Sequence, residues 1–214
     1  MTMTMANGLS DDHDGPTPEQ VKRGHRTALL LFAIGFGPML FATIMFYTGW
    51  LNPAGHTNNG TLIQPVVPVQ TLNLETASGK PLEQRFGLDK DDPQWMLMVV
   101  AAECDSRCEE MLYLARQVNI ALGKNASRVS RAAALADIPS DLASRWPQEY
   151  NLMEKLSPAP GTTPSWPVGV NPLKEPRILL VDPMGNMMMH YGLDNTGKEM
   201  LEDLKHLLKI SQLG

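Results

Sequence analysis

The sequence predicts one transmembrane helix followed by an α/β domain whose mixed sheet is flanked by helices. Three observations carry that expectation: an uncharged stretch at 27–51, a continuous apolar run at 95–102 that stops beside the first of two cysteines, and a strand–turn–strand–helix pattern from residue 177 onward. The chain of 214 residues is long enough for an anchor plus one domain of ordinary size, and too short for two large ones. Its apolar fraction of 43% supports a packed core. A formal net charge of -5 argues against nucleic acid as a partner, because phosphate binding needs a basic footprint.

The stretch 27–51 runs 25 residues without a charge. As a helix it rises about 37 Å, more than the roughly 30 Å hydrocarbon core of a bilayer. Gly35, Gly37 and Pro38 inside it are tolerated in membrane helices. Tyr47 and Trp50 sit at its far end, where amphipathic rings favour the interface. Lys22, Arg23 and Arg26 flank the near end, and the next basic residue after the span is Lys80. This asymmetry places the N-terminus in the cytoplasm and everything after Trp50 outside. The expected setting is a bacterial inner membrane, with the domain in the periplasm. A cleaved signal peptide is the alternative, but its apolar region runs to only about 7–15 residues. Both readings export the two cysteines to an oxidising compartment. Residues 1–26 read as an unstructured cytoplasmic tail, and 52–69, with scattered proline and glycine, as a linker to a domain at 70–214.

Within that domain, 70–75 alternates before a Ser-Gly-Lys turn and reads as a strand. The run 95–102 reads as a strand buried on both faces. From 105 to 122 the apolar residues recur at helical spacing, and Gly123 is a fitting stop. A second central strand is expected at 128–135, and a helix over 140–156 interrupted at Pro147. Six prolines make 157–176 an irregular connection. Strands at 177–181 and 186–191 flank a turn, and 197–210 closes the chain as an amphipathic helix.

Two cysteines, Cys104 and Cys108, are too few for a disulfide scaffold. They fall where a central strand passes into a helix, the usual position for ligand chemistry in an α/β sheet. Unpaired N–H groups and the helix dipole there favour thiolate; Arg107 adds to that, while Asp105, Glu109 and Glu110 oppose it. Residues four apart share a helix face, so the sulfurs can meet each other or one Cu(I) ion. A purely structural disulfide is the plainer reading. So short a loop supplies only about 2 kcal/mol of chain-entropy stabilisation, against roughly 4–5 for a long one.

The segment AAECDSRCEEML resembles the CxxxC loop of the Sco family, membrane-anchored thioredoxin-fold proteins that help build the copper centre of cytochrome c oxidase. TLNLETASGKPL resembles that family's opening strand and turn, and EPRILLVDPMGNMMMHYG its closing hairpin. The resemblance implies a thioredoxin-like fold over 70–214, a dithiol that handles thiols or copper, and oxidase subunits or assembly factors as partners beside the lipid bilayer. It aligns Lys174 with the family's third copper ligand, a histidine, and this departure weighs against Sco-type copper binding. It also places Pro176 where thioredoxins carry a cis-proline facing the dithiol.

The expected function is thiol–disulfide exchange on copper-site cysteines through Cys104, Cys108 and Pro176. One alternative is a copper chaperone binding through Cys104 and Cys108, with His190 as third ligand on the methionine-rich strand that holds Met187, Met188 and Met189. The other is a non-catalytic assembly scaffold. Strand alternation puts Met187 and Met189 on one face, with Met188 and His190 on the other. The plain reading of that strand is packing for the methionines and a surface or edge position for His190. His56 and His206 read as ordinary exposed residues, and His13 and His25 are expected on the cytoplasmic side.

Overall fold

The computed structural model describes residues 17–48 and 58–211, which fall in two units divided at Gly55. In the first, α1 spans Pro18–Thr48 and is long and apolar enough to cross a membrane. Its amino end is closed reciprocally: the Thr17 N–H donates to Gln20 Oε1 at 2.9 Å, and the Gln20 N–H to Thr17 Oγ1 at 3.4 Å. Pro18 takes the first helical position, where a missing N–H forfeits no bond. Residues 18–26, expected as unstructured tail, therefore form the first turns of α1 and carry Lys22, Arg23 and Arg26. Pro38 lies inside the helix without ending it. The expectations for 1–16, Trp50 and His56 lie outside the described residues.

The second unit holds a seven-stranded sheet with β1 (Thr61–Pro68), β2 (Leu74–Thr76), β3 (Trp95–Ala101), β4 (Val129–Leu135), β5 (Met153–Pro158), β6 (Arg177–Val181) and β7 (Asn186–Tyr191). The spatial order is β1-β7-β6-β3-β4-β5-β2. The central β3, β4 and β5 are parallel, and every other pairing is antiparallel. Helices α2 (Ser106–Ala121), α3 (Ser140–Glu149) and α4 (Gly197–Ile210) complete the unit. All of β3 is buried, as the continuous apolar run requires.

The two faces of the sheet are covered differently. On one, Leu97, Val99 and Ile178 pack against Met111 and Leu112 of α2, Leu142 and Trp146 of α3, and Leu204 of α4. On the other, Met96, Met98 and Leu179 pack against Leu72, Leu82 and Phe86 from two short 3-10 turns, and against Val170 from the 157–176 connection. The expected strand, helix and hairpin around 95–135 and 177–210 are all present.

Three segments differ from expectation. Thr61–Pro68, assigned to the linker, is the edge strand β1 on β7; edge strands tolerate Pro65 and Pro68 because their outward N–H groups have no ladder partner to lose. Within 70–75, Val69–Leu72 is a 3-10 turn and only Leu74–Thr76 is strand. The helix over 140–156 stops at Glu149, near Pro147, and Met153–Pro158 is β5, held parallel to β4 and antiparallel to β2.

Two polar devices close the unit. Asp203 on α4, 4% exposed, accepts from the Asn59 N–H at 3.0 Å, the Gly60 N–H at 2.9 Å and the Tyr191 O–H at 3.2 Å. It thereby clasps the start of the domain to its last helix. In the β6–β7 turn, the Asp182 carboxylate accepts from the Met184 and Asn186 N–H groups at 2.9 and 2.8 Å. Gly185 there has φ +89°, and a Cβ would stand 3.2 Å from Phe86.

Candidate redox site

Cys104 lies three residues beyond the end of β3, and Cys108 lies in the first turn of α2. Their sulfurs are joined as a disulfide. The strand end is fixed from both sides: the Ala136 and Asp137 N–H groups donate to the Ala101 and Ala102 carbonyls at 3.2 and 3.0 Å, and the Ala102 N–H donates to the Pro172 carbonyl at 3.1 Å. Asp105 is the N-cap of α2, and its Oδ1 accepts from the Arg107 and Cys108 N–H groups, each at 3.1 Å. Arg107 Nε donates to Asp105 Oδ2 at 2.9 Å. The Cys108 N–H, followed by the Arg107 guanidinium, holds the Asp105 carboxyl below the usual carboxylate range. The helix terminus is thus already occupied by a carboxylate rather than left free for a thiolate.

Both cysteines are buried, Cys104 at 4% exposed and Cys108 at 0%. Beside the loop opens a cavity of about 220 Å³, lined by Glu103, Asp105 and Arg107 on one side and by Lys174, Glu175 and Pro176 on the other. Glu109, next to Cys108, pairs with Arg145 of α3 at 2.9 Å, and Arg145 also reaches Asp141 and Glu149. This fork ties α3 to the first turn of α2. No local pattern announces the Glu109–Arg145 pair, because the two lie 36 residues apart along the chain.

Pro176 and Lys174 line the cavity beside the dithiol loop. The cis bond expected at Pro176 is absent: among the described residues the cis peptide is Gln64–Pro65. His190 stays away from the site. A bulge at Met188 shifts the β6–β7 register, so His190 pairs with Leu179 and Met187 with Val181. Both partners belong to the core on the face opposite α2, whereas Cys104 and Cys108 pack on the α2 face. The alternation expected for the methionines is broken by the same bulge, since Met187 and Met189 pack into opposite cores. His190 is 6% exposed, and its Nδ1 has no hydrogen-bond partner. Burial, then the nearby Arg177, holds its pKa below the ordinary histidine value. Among the described residues, no group of three or more His, Cys, Asp or Glu side chains could hold a metal ion. His190 and the cysteine pair pack against opposite faces of the sheet.

Fold and site together define a single-pass membrane protein with a thioredoxin-like domain that carries a dithiol. Residues 95–211 match the thioredoxin-like C-terminal domain, and residues 18–49 the N-terminal domain, of the transmembrane-like family. The chain belongs to this transmembrane-like, thioredoxin-like family. No curated protein matches it. Similar solved structures include copper-bound ScoI of Arabidopsis thaliana, 10% identical over 73% of this chain and 100% of that one, with a TM-score of 0.47. Copper-bound Sco1 of yeast is 14% identical over 73% and 96% of the two chains, also at 0.47. A thiol-disulfide oxidoreductase of Bacteroides fragilis is 16% identical over 68% and 98%, at 0.42.

Proposed function

We propose that the protein is a membrane-tethered thiol–disulfide exchange protein. Its Cys104–Cys108 pair keeps the cysteines of a copper site reduced during cytochrome c oxidase assembly. In this reading 27–51 anchors the chain in a bacterial inner membrane, the N-terminus is cytoplasmic, and the domain works in the periplasm.

The observation that carries the chemistry is the pair itself. Two cysteines at a strand-to-helix junction close on each other, and the residues on either side of Cys104, Glu103 and Asp105, line a cavity. The client class comes from the resemblance of the CxxxC loop and closing hairpin to the Sco family. The reduced Cys104 thiolate attacks a client disulfide, forming a mixed disulfide and releasing one client thiolate. The Cys108 thiolate then attacks the Cys104 sulfur, which frees the second client thiolate and leaves Cys104–Cys108 oxidised. A dithiol donor restores the reduced pair. Pro176, on the opposite wall of the cavity, is the docking surface for the client chain.

Copper carriage is the weaker reading, because only two sulfurs converge and Lys174 occupies the position aligned with the family's histidine. One experiment separates the two. Cys108→Ser should accumulate mixed disulfides through Cys104, Cys104→Ser should not, and Pro176→Ala should change the yield. Tight binding of one Cu(I) per reduced protein that needs both cysteines, with no trapped disulfide, would reverse the assignment.

A further inference from the structure

A second cavity of about 300 Å³ adjoins the first, sharing the wall made by Ala102, Pro172 and Leu173. Its floor is the carboxyl end of β3 and β4, where Ala101, Ala134 and Ala136 leave space that larger side chains would fill. Trp166 and Pro164 of the 157–176 connection form the facing wall. No titratable side chain lines it, and the polar groups its side chains carry are the Thr163 hydroxyl and the Trp166 indole N–H. Leu173, on the shared rim, is 84% exposed.

We propose that this second cavity receives one bulky apolar side chain of a client polypeptide, roughly two or three residues from the client cysteine that meets Cys104. The inference rests on the exchange reading above and adds to it the sequence preference of the client. Ala102, on the shared wall, is two residues from Cys104, a Cα span of at most about 7 Å. An extended client chain advances about 3.3 Å per residue, so a side chain two or three positions from its cysteine reaches the mouth. The occupant is a polypeptide because the two cavities differ in kind. The first offers Glu103, Arg107, Lys174 and Glu175 to a polar backbone, while the second offers carbon to a side chain. Its volume sits at the low end of ligand sites, roughly 300–1,000 Å³, which suits one large side chain. The wall is fixed before the client arrives, since the Pro172 carbonyl is bonded to the Ala102 N–H.

The test uses the full chain with Cys108→Ser, reduced, in phosphatidylcholine nanodiscs. Two peptides carry a cysteine activated as its 2-thiopyridyl disulfide and differ only in leucine or serine three residues away. Attack by the Cys104 thiolate forms the protein–peptide disulfide, breaks the pyridyl disulfide and releases pyridine-2-thione, which is followed by absorbance. Glutathione activated in the same way gives the rate without a side chain for the cavity.

The leucine peptide should react at least about tenfold faster than the serine peptide at subsaturating concentration, as burial of a leucine side chain allows. Ala134→Leu, which fills the floor, should bring the ratio close to one. Leu173→Ser, on an exposed rim where folding is not at stake, should lower the ratio as well. Equal rates for both peptides, with the glutathione reagent still reacting, overturn the subsite alone and leave the cavity to a lipid chain or a second copy of the protein. A leucine preference untouched by either substitution also overturns it. No thione release from any of the three reagents overturns the exchange reading and the subsite together.

Discussion

Removing the Asp203 carboxylate should destabilise the domain far more than an ordinary helix substitution. Asp203→Ala leaves the Asn59, Gly60 and Tyr191 donors without their acceptor. Asn59 is exposed and its N–H can return to water, whereas Gly60 and Tyr191 are buried. The buried Gly60 N–H is then unsatisfied, at about 1–3 kcal/mol, while the Tyr191 O–H falls back on the weak acceptor Met189 Sδ at 3.0 Å, which together set an expected loss of about 2–3 kcal/mol. Asp203→Asn keeps one acceptor oxygen but turns an NH2 group toward two donors, and should lose about 2 kcal/mol. Tyr191→Phe removes a donor together with its need, and should cost about 1 kcal/mol. Burial, with Asp203 beside it, holds the Tyr191 hydroxyl well above its ordinary range, so it remains a donor across the neutral region. Urea unfolding of the full chain in detergent, followed by tryptophan fluorescence, measures the series. A loss below about 1 kcal/mol for Asp203→Ala, or a Tyr191→Phe cost equal to it, would refute the clasp as argued.

Three further outcomes are expected. Asp105→Asn keeps acceptors for the Cys108 and Arg107 N–H groups while removing a negative charge next to Cys104, so Cys104 in the reduced protein should alkylate faster at about pH 7, which a rate profile against pH would show. Stability should fall on acidification below the unfolded histidine pKa of about 6.5: the folded His190 pKa is depressed by burial and by Arg177, with Glu175 and Asp194 opposing, so the unfolded chain binds the proton first. His190→Gln should flatten that fall in urea midpoints, and an unchanged slope would exclude His190 as its source. For topology, a reporter enzyme active only in the periplasm should work when fused after Gly214 and stay silent after Gly15; the reverse pattern would invert the orientation argued from Lys22, Arg23 and Arg26.

Elements whose signal is local were legible in the sequence. The run at 95–101 is apolar throughout because β3 has strands on both sides and packing on both faces, and α2 and α4 show their buried stripes at helical spacing. Cys104 and Cys108 were legible because their junction is local too. Edge strands were not. β1 alternates poorly and holds two prolines, and its identity comes from β7, more than a hundred residues later. β5 was absorbed into the preceding helix because Met153, Leu156 and their charged neighbours fit either period, and only β4 and β2 decide between them. Simple alternation fails along 187–190 because a bulge at Met188 leaves no mark in composition yet exchanges the faces on either side of it. The Asp203 clasp had no sequence signal, since an acidic residue on an amphipathic helix ordinarily faces water.

The two ends of the sheet bear on how the protein behaves at high abundance. A sheet edge is a template for pairing with another copy, and anchoring confines every copy to a thin layer where lateral encounters are frequent. Here neither edge offers a regular ladder. β2 is only three residues long, and β1 lacks N–H groups at Pro65 and Pro68 and breaks register between Leu62 and Val67. Copies crowded into one bilayer can therefore collide repeatedly without zipping together.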